Sequence, residues 1–435
     1  EGRVYTGTDG WLYFRPGVDY LTGPGFLEER HRARRLSEEP SSSADPRPAI
    51  LRFARELESR GIQLVLMPVP TKAMIHPEGL GFSEDESTMP QNPSYEGWVR
   101  ELDAEGIPVF EASAVLWAMP EFAGPRFLKG DSHWTPVAMQ SVAQELAAFL
   151  RDRFPDRLAE PGPLLDREEV AVRNRGDLHR MLDLPIEGDE GLEAVNLMSV
   201  GSGGEPWSAD SSSGVLLLGD SFANIYSLGG MGWGAAGGLA EQLSVSLGFS
   251  VDRISINAGG AYGARQQLVQ SLARGENRLV GKKIVVWEFA VRELTSGDWR
   301  VLPLPQVREP RPGQETNAER PAGWLEVEGT LAQNSGMPDP GEVLYKDGVT
   351  QFHLTGVQWT EPPAPGEEIV VLVWGMRDRV LTGAGEIEPG QRLKLRLLPW
   401  GEAEKHYGGY ERTELEDPDL RLLDLPLFWG ERLDD

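Results

Sequence analysis

Apolar positions along the first three hundred residues alternate between two periods. Between Pro48 and Arg60, Ile50, Leu51, Phe53, Ala54 and Leu57 recur at helical spacing, and Ile62 to Met67 then forms a continuous apolar run. The same couplet returns as a helix over Tyr95 to Ala104 followed by a strand at Ile107 to Phe110. A long helix is predicted from Pro136 to Phe154, with Pro136 in the first turn, where a missing N–H costs nothing. Gly214 to Gly219 reads as a strand covered on both faces, because its apolar run is uninterrupted. A helix over Leu239 to Leu247, a strand near Arg253 to Ile256, a helix over Ala264 to Ala273 and a strand at Lys283 to Glu288 complete the series. Helix and strand in alternation predict an open, doubly wound α/β fold with a parallel sheet over residues 1–302.

The pattern then changes. Residues 303–322 hold Pro303, Pro305, Pro310, Pro312 and Pro321 among charges, and read as a linker. In residues 323–435, strands are predicted at Trp324 to Leu331, Gln351 to Trp359, Glu368 to Trp374 and Arg392 to Leu398, separated by Asp347-Gly348, Pro365-Gly366 and Pro389-Gly390 turns. No long helix is predicted there. The expectation is a small all-β domain, a barrel or sandwich, that binds carbohydrate or a protein partner. Trp400, Tyr407 and Tyr410, beside Gly- and Pro-containing loops, are expected to be its exposed aromatics. Ser211 to Ser213, following the Gly- and Ser-containing stretch from Ser199, is expected to be a surface loop.

Composition narrows the function. The 435 residues carry a formal net charge of −26, which argues against nucleic acid as a partner, since phosphate binding needs clustered Lys and Arg. With no cysteine, disulfides, thiolate metal sites and a cysteine nucleophile are excluded. No run of about 18 apolar residues is present to span a bilayer. The chain opens at Glu1, and a trimmed export signal or membrane anchor is expected before it.

Candidate chemistry concentrates in two strips. Leu218-Gly219-Asp220-Ser221 places a serine at the carboxyl end of a strand, where open α/β sheets carry their sites. A serine hydroxyl needs a base to become a nucleophile. The histidines are His31, His76, His133, His179, His353 and His406. Of these, His133 stands just before a predicted helix with Asp131 two residues upstream, a spacing that lets the carboxylate reach Nδ1. Ser221, His133 and Asp131 therefore form a candidate triad. Two ligands are too few for a metal site, and no cofactor is expected. Gly229 to Gly234 lacks the features of a phosphate loop and reads as a flexible loop near the serine. Glu288 and Arg292 are expected to form a structural ion pair or cap, and His179 to be structural.

The Gly219-Asp220-Ser221 and Asp131-Ser132-His133 blocks resemble those of SGNH-type hydrolases, with the Asp/His pair ahead of the serine instead of behind it. That order resembles the periplasmic alginate O-acetyltransferase family of the AlgJ and AlgX type. Gly7 to Tyr13, Gly176-Asp177-Leu178 with Met181-Leu182, and Val286 to Phe289 with Arg292 and Leu294 resemble further strips of that family, so the likeness covers residues 1 to about 300. The resemblance implies an SGNH-like fold in the first domain and transfer of acetyl groups through Ser221 to an exported polysaccharide. It further implies an acetyl donor, a membrane-bound acyltransferase as partner, and a periplasmic or cell-surface location. The family's oxyanion residues do not map cleanly. The turn Asn257, Gly259 and Gly260 is the candidate oxyanion region, with Tyr262 and Arg265 as candidate acceptor-site residues. An O-acetyl esterase, and a non-catalytic polysaccharide-binding component of an export complex, stand as alternatives.

Overall fold

The structure is a computed structural model. It describes all residues except 1, 39–41, 82–87, 163–164, 183–187, 306–322, 341–342, 344, 361–364, 414, 416–421, 423–424 and 434–435. Most of the expected linker thus lies outside the described residues. The chain divides into two compact units. One comprises Glu1–Ser255, Gly259–Gln266 and Leu279–Leu304; the other comprises Ile256–Ala258, Gln267–Arg278 and Pro305–Asp435.

The first unit is built on a parallel sheet of Gln63–Val69, Ile284–Ala290, Val215–Gly219 and Asp252–Ser255, in that spatial order. The apolar runs Leu64 to Met67, Val215 to Leu218 and Ile284 to Phe289 are buried throughout, as a sheet covered on both faces requires. The segment at Val109 contributes a single parallel bridge to Leu66 and not a full strand. Connecting helices include Pro46–Glu58, Tyr95–Ala104, Pro136–Arg153 and Leu239–Leu247. Thr135 caps Pro136–Arg153 by accepting the Ala138 N–H, which fixes where the chain turns helical directly after His133.

Two further sheets were not foreseen. Val4–Thr6 pairs with Leu12–Phe14 in a hairpin whose turn residues, Asp9 and Gly10, both have positive φ. Asp166–Arg175 pairs antiparallel with Leu192–Ser202, which continues to Glu205–Pro206. Ser211 to Ser213, the expected surface loop, form a turn, while this ribbon went unpredicted. Its alternation was hidden because Asp166–Arg175 is largely exposed, so no core stripe marks it.

In the second unit, Leu325–Asn334, Gly348–Trp359, Glu368–Arg377, Leu427–Arg432 and Arg392–Pro399 pair in sequence, and Arg392–Pro399 returns to Leu325–Asn334. The sheet closes into a barrel, which resolves the barrel-or-sandwich expectation. Along Glu368–Arg377 the two-residue period sorts side chains cleanly. Ile369, Val371 and Val373 join a cluster with Val327, Phe352, Leu395 and Phe428; Val370 and Leu372 join another with Trp400, Leu427 and Trp429.

Trp400 begins the unpredicted helix Trp400–Tyr407 and is only 1 % exposed, correcting the expectation of an exposed indole. Tyr407 stacks on Trp429 at 3.8 Å, and Tyr410 packs edge-on against Trp374. These aromatics are packing groups. Trp324, 43 % exposed, is the barrel's exposed indole instead, with the Arg396 guanidinium 4.7 Å from its ring.

Leu217 lies fully buried on an interior strand of the parallel sheet. Leu217→Ala should destabilise the first unit by about 2–5 kcal/mol, the usual cost of a cavity at such a site, while exposed Val380→Ala should stay within about 0.5 kcal/mol. Denaturant titration of both variants checks this.

Candidate active site

Ser221 starts the short helix Ser221–Asn224 immediately after strand Val215–Gly219. The helix is fixed from several sides. Asn224 and Ser255 exchange two hydrogen bonds, Nδ2 to the Ser255 carbonyl at 3.1 Å and Ser255 Oγ to Asn224 Oδ1 at 2.6 Å. Phe222 packs edge-on against Trp134, and its ring centroid lies 4.7 Å from that of His133. The Tyr226 hydroxyl donates to the Trp134 carbonyl at 2.7 Å. Strips distant in sequence are thereby locked together.

The result is a continuous hydrogen-bonded line. Ser221 Oγ lies 2.9 Å from His133 Nε2, and His133 Nδ1 lies 2.6 Å from Asp131 Oδ1. The structure therefore brings Ser221, His133 and Asp131 together. Asp131 Oδ1 also accepts the His133 N–H at 3.1 Å, while Oδ2 accepts the Trp233 Nε1–H at 2.9 Å and the Asp177 N–H at 3.0 Å. Burial alone would raise the Asp131 pKa. The hydrogen bond from His133, that ring's positive charge, Arg180 and the Trp233 donor outweigh it and hold the carboxyl far below the usual range. Burial would lower His133, but the hydrogen bond and charge of Asp131, with Asp177 and Asp220 behind it, raise it above its ordinary value. A neutral imidazole in this setting accepts a proton readily and is stabilised once it has done so.

Two supporting groups escaped the sequence reading. Trp233 belongs to the glycine-rich stretch expected to be flexible; it is fully buried and pinned to Asp131 instead. Asp177 accepts the Ser132 N–H at 2.7 Å and the Ser132 hydroxyl at 2.5 Å, and its Oδ2 is 3.8 Å from His133 Nδ1. Gly176 permits this approach: a Cβ there would sit 2.0 Å from the Gly130 carbonyl oxygen and 2.4 Å from the Asp131 nitrogen. The Gly176-Asp177 pair was visible as a strip, but without a stated role. Asp131, His133 and Asp177 also form a cluster with the ligand types of a metal site. Their atoms are committed elsewhere: Nδ1 faces Asp131, and both carboxylates already receive N–H or O–H donors. The set fits a hydrogen-bonded relay better than a cation.

Beside Ser132 lies a shallow crevice lined by Tyr13, Thr71, Lys72, Ser132 and Arg292 among others. Lys72 donates to the Leu12 and Lys129 carbonyls at 2.7 and 2.9 Å. Burial pushes its amine down to about 8, against the pull of Asp131, Asp177 and Glu193.

The expected oxyanion and acceptor residues fare differently. Arg265 is 2 % exposed; its guanidinium lies 4.7 Å from the Trp287 ring and donates to the Ala261 and Arg300 carbonyls. It is a core group and does not line an acceptor site. Tyr262 lies near Arg265 and Arg300, whose guanidinium is 4.6 Å from the Tyr262 ring. Asn257 belongs to the second unit, its N–H donating to the Gly409 carbonyl at 3.0 Å. Gly260, at φ +51°, faces the Glu293 carboxyl, and Gly259 precedes it at the start of helix Gly260–Ala273. Their oxyanion role rests on sequence position. The expected Glu288–Arg292 ion pair is also corrected: Arg292 Nε is 4.0 Å from Glu293 Oε1, while Glu288 accepts the Asp220 N–H at 2.9 Å.

Residues 4–291 match the family model described as SGNH hydrolase-like domain, acetyltransferase AlgX, and the chain belongs to that family. A probable alginate O-acetylase AlgJ of Pseudomonas syringae pv. tomato is 25 % identical over 335 residues, covering 73 % of this chain and 77 % of that protein. The protein of the same name from Pseudomonas aeruginosa is 26 % identical over 304 residues, 68 % of this chain and 71 % of its own length. Among solved structures, the O-acetyltransferase domain of Pseudomonas putida AlgJ aligns with TM-score 0.49 and 21 % identity, covering 68 % of this chain and 93 % of that one. Pseudomonas aeruginosa AlgX aligns with TM-score 0.46 and 16 % identity over 99 % of this chain and 90 % of its own.

Asp131→Asn removes the two largest contributions that raise His133, the hydrogen bond and charge of Asp131, and leaves the weaker ones of Asp177 and Asp220 against the burial that lowers it. The His133 titration, followed by NMR of the ring nitrogens, should therefore move to lower pH. In the wild type the raised folded pKa adds stability below about pH 6.5 that is lost as pH rises through the folded value. The stability gap between wild type and Asp131→Asn should accordingly be wider near about pH 5.5 than near about pH 8.5.

Proposed function

We propose that this chain is an O-acetyltransferase that carries an acetyl group on Ser221 and passes it to hydroxyl groups of an exported polysaccharide. The observation that carries the reading is the line from Ser221 Oγ through His133 to Asp131, at 2.9 and 2.6 Å, inside a member of an acetyltransferase family.

In the first half-reaction His133 Nε2 takes the Ser221 proton as Oγ attacks the donor's acetyl carbonyl. The C–O (or C–S) bond to the leaving group breaks, and the imidazolium returns the proton to that group. Acetyl-Ser221 remains. In the second, the same nitrogen takes a proton from a sugar hydroxyl, which attacks the acetyl carbonyl; the bond to Ser221 breaks and Oγ recovers the proton. Asp131 keeps Nδ1 protonated so that Nε2 is the basic nitrogen throughout. Backbone N–H groups of Ser221 and of the Gly259–Gly260 turn are the donors assigned to the developing oxyanion. Trp324 is the sugar-stacking candidate on the barrel.

A periplasmic or cell-surface location follows from a polymer acetylated on its way out, and a membrane-bound acyltransferase is the partner that would supply acetyl groups. Among the described residues no helix is long and apolar enough to cross a membrane. Relatives named as probable alginate O-acetylases support the polysaccharide acceptor.

Ser221→Ala and His133→Ala should each lower acetyl release from p-nitrophenyl acetate by about 10³-fold or more while the protein stays folded. Mass spectrometry of uronate oligomers incubated with wild type and the same ester should show added acetyl groups. Release of acetate without gain on the oligomer would identify an esterase, and undiminished release by Ser221→Ala would reject the mechanism.

A further inference from the structure

The turn that carries Ser221 is fastened by two carboxyl groups outside the triad. Asp220 and Glu288 are 1 % and 0 % exposed. The Asp220 N–H donates to Glu288 Oε2 at 2.9 Å. Asp220 Oδ1 accepts the Phe222 N–H at 2.8 Å, and Oδ2 accepts the Ala290 N–H at 3.2 Å. Glu288 and Ala290 belong to one strand, Ile284–Ala290, which lies beside the Ser221-bearing strand Val215–Gly219. Gly219 completes the fit: a Cβ there would lie 2.8 Å from Glu288 Oε2 and 2.8 Å from the Ala223 Cβ. The glycine of the Gly219-Asp220-Ser221 strip makes room for this carboxyl.

The donors are shared unequally. Both Asp220 oxygens receive an N–H, the pattern of an ionised carboxylate. Glu288 receives one, on Oε2. Two carboxylates side by side in a dry interior do not both ionise. Burial first, then the Asp220 charge, drive Glu288 well above the usual carboxyl range, against smaller opposing pulls from the Asp220 N–H and Arg292. Asp220 in turn contributes to the raised pKa of His133, and its charge also reaches Glu293.

We propose that Glu288 is a positioning residue for Ser221: as a neutral carboxylic acid it donates a hydrogen bond to the Asp220 carboxylate, accepts the Asp220 N–H, and clamps the serine turn to the neighbouring strand. The inference rests on the reading of Ser221 as nucleophile. The clamp leaves a single negative charge at the foot of the turn. That charge assists the His133 imidazolium. A second would raise the His133 ring further and push the turn off the strand.

Glutamine has the donor and acceptor of a neutral glutamic acid and cannot ionise, so it separates this proposal from a plain structural or charge requirement. Difference infrared spectra of the wild-type chain at pH 7 should show a protonated-carboxyl C=O band that disappears in Glu288→Gln. With p-nitrophenyl acetate, Glu288→Gln should keep kcat within about threefold and leave KM unchanged, whereas Glu288→Ala should lose about 10²-fold in kcat at unchanged KM, the scale of a nucleophile displaced by about 1 Å. The acid limb of the kcat profile in Glu288→Gln should coincide with that of the wild type. A Glu288→Gln enzyme as impaired as Glu288→Ala, or a wild type lacking the band, overturns the proposal. So does a folded Glu288→Ala with full kcat. If Glu288→Ala does not fold, the infrared band and Glu288→Gln still decide. Wild-type rates in Ser221→Ala would instead overturn the reading of Ser221, while the band tests the protonated pair by itself.

Discussion

The site depends on how one buried carboxylate is satisfied. Asp131 receives N–H groups from the His133 ring, the His133 backbone, Trp233 and Asp177. An ionised group is tolerated in a dry interior only when its lone pairs are filled in this manner. Each donor comes with a condition. The ring sets the histidine tautomer, the indole ties down the glycine-rich stretch after the serine helix, and the Asp177 amide holds the Gly176 strip against Gly130. One charge thus fixes the relation between chain segments at 131–133, 177 and 233. Removing any donor leaves part of that charge unsolvated, so the surrounding chain has little freedom to drift.

The hydroxyl end is governed by packing more than by charge. Phe222 lies between the His133 and Trp134 rings, Tyr226 reaches the Trp134 carbonyl, and Asn224 closes onto Ser255. These residues follow Ser221 directly, so the same short helix that presents the hydroxyl also carries its anchors. The serine–histidine distance is then a property of the core, and the pair is assembled without closure of a lid.

The sequence made part of this legible. Continuous apolar runs at Val215 to Leu218 and Ile284 to Phe289 marked the parallel sheet, because a strand buried on both faces admits little else. Asp131, His133 and Ser221, which the structure brings into one hydrogen-bonded line, were singled out because histidine is scarce and a serine stood at a strand end. Trp233 was missed because an indole among glycines gives no local sign of the acceptor it will meet a hundred residues away. Arg265 was misplaced because a long cation after a glycine turn reads as exposed, whereas here its guanidinium lies over Trp287 with Nε and Nη1 donating to carbonyls. Trp400 was misread for a related reason: Gly401 follows it, yet the chain turns helical there and covers the outer barrel face. Local composition reports propensity, and the pairing of distant groups overrode it in each case.

The two kinds of β-structure in this chain carry different risks of self-association. In the barrel, each of the five pairing strands has a neighbour on both sides, so the apolar stretch Ile369 to Val373 never presents a free row of amides. The ribbon of Asp166–Arg175 and Leu192–Ser202 is open, and among the described residues Asp166–Arg175 pairs along one side only. That open strand carries Asp166, Arg167, Glu168, Glu169, Arg173 and Arg175. Charge at a free border deters another chain from docking there as an added strand, so the ribbon guards with side-chain charge the perimeter that the barrel removes by closure.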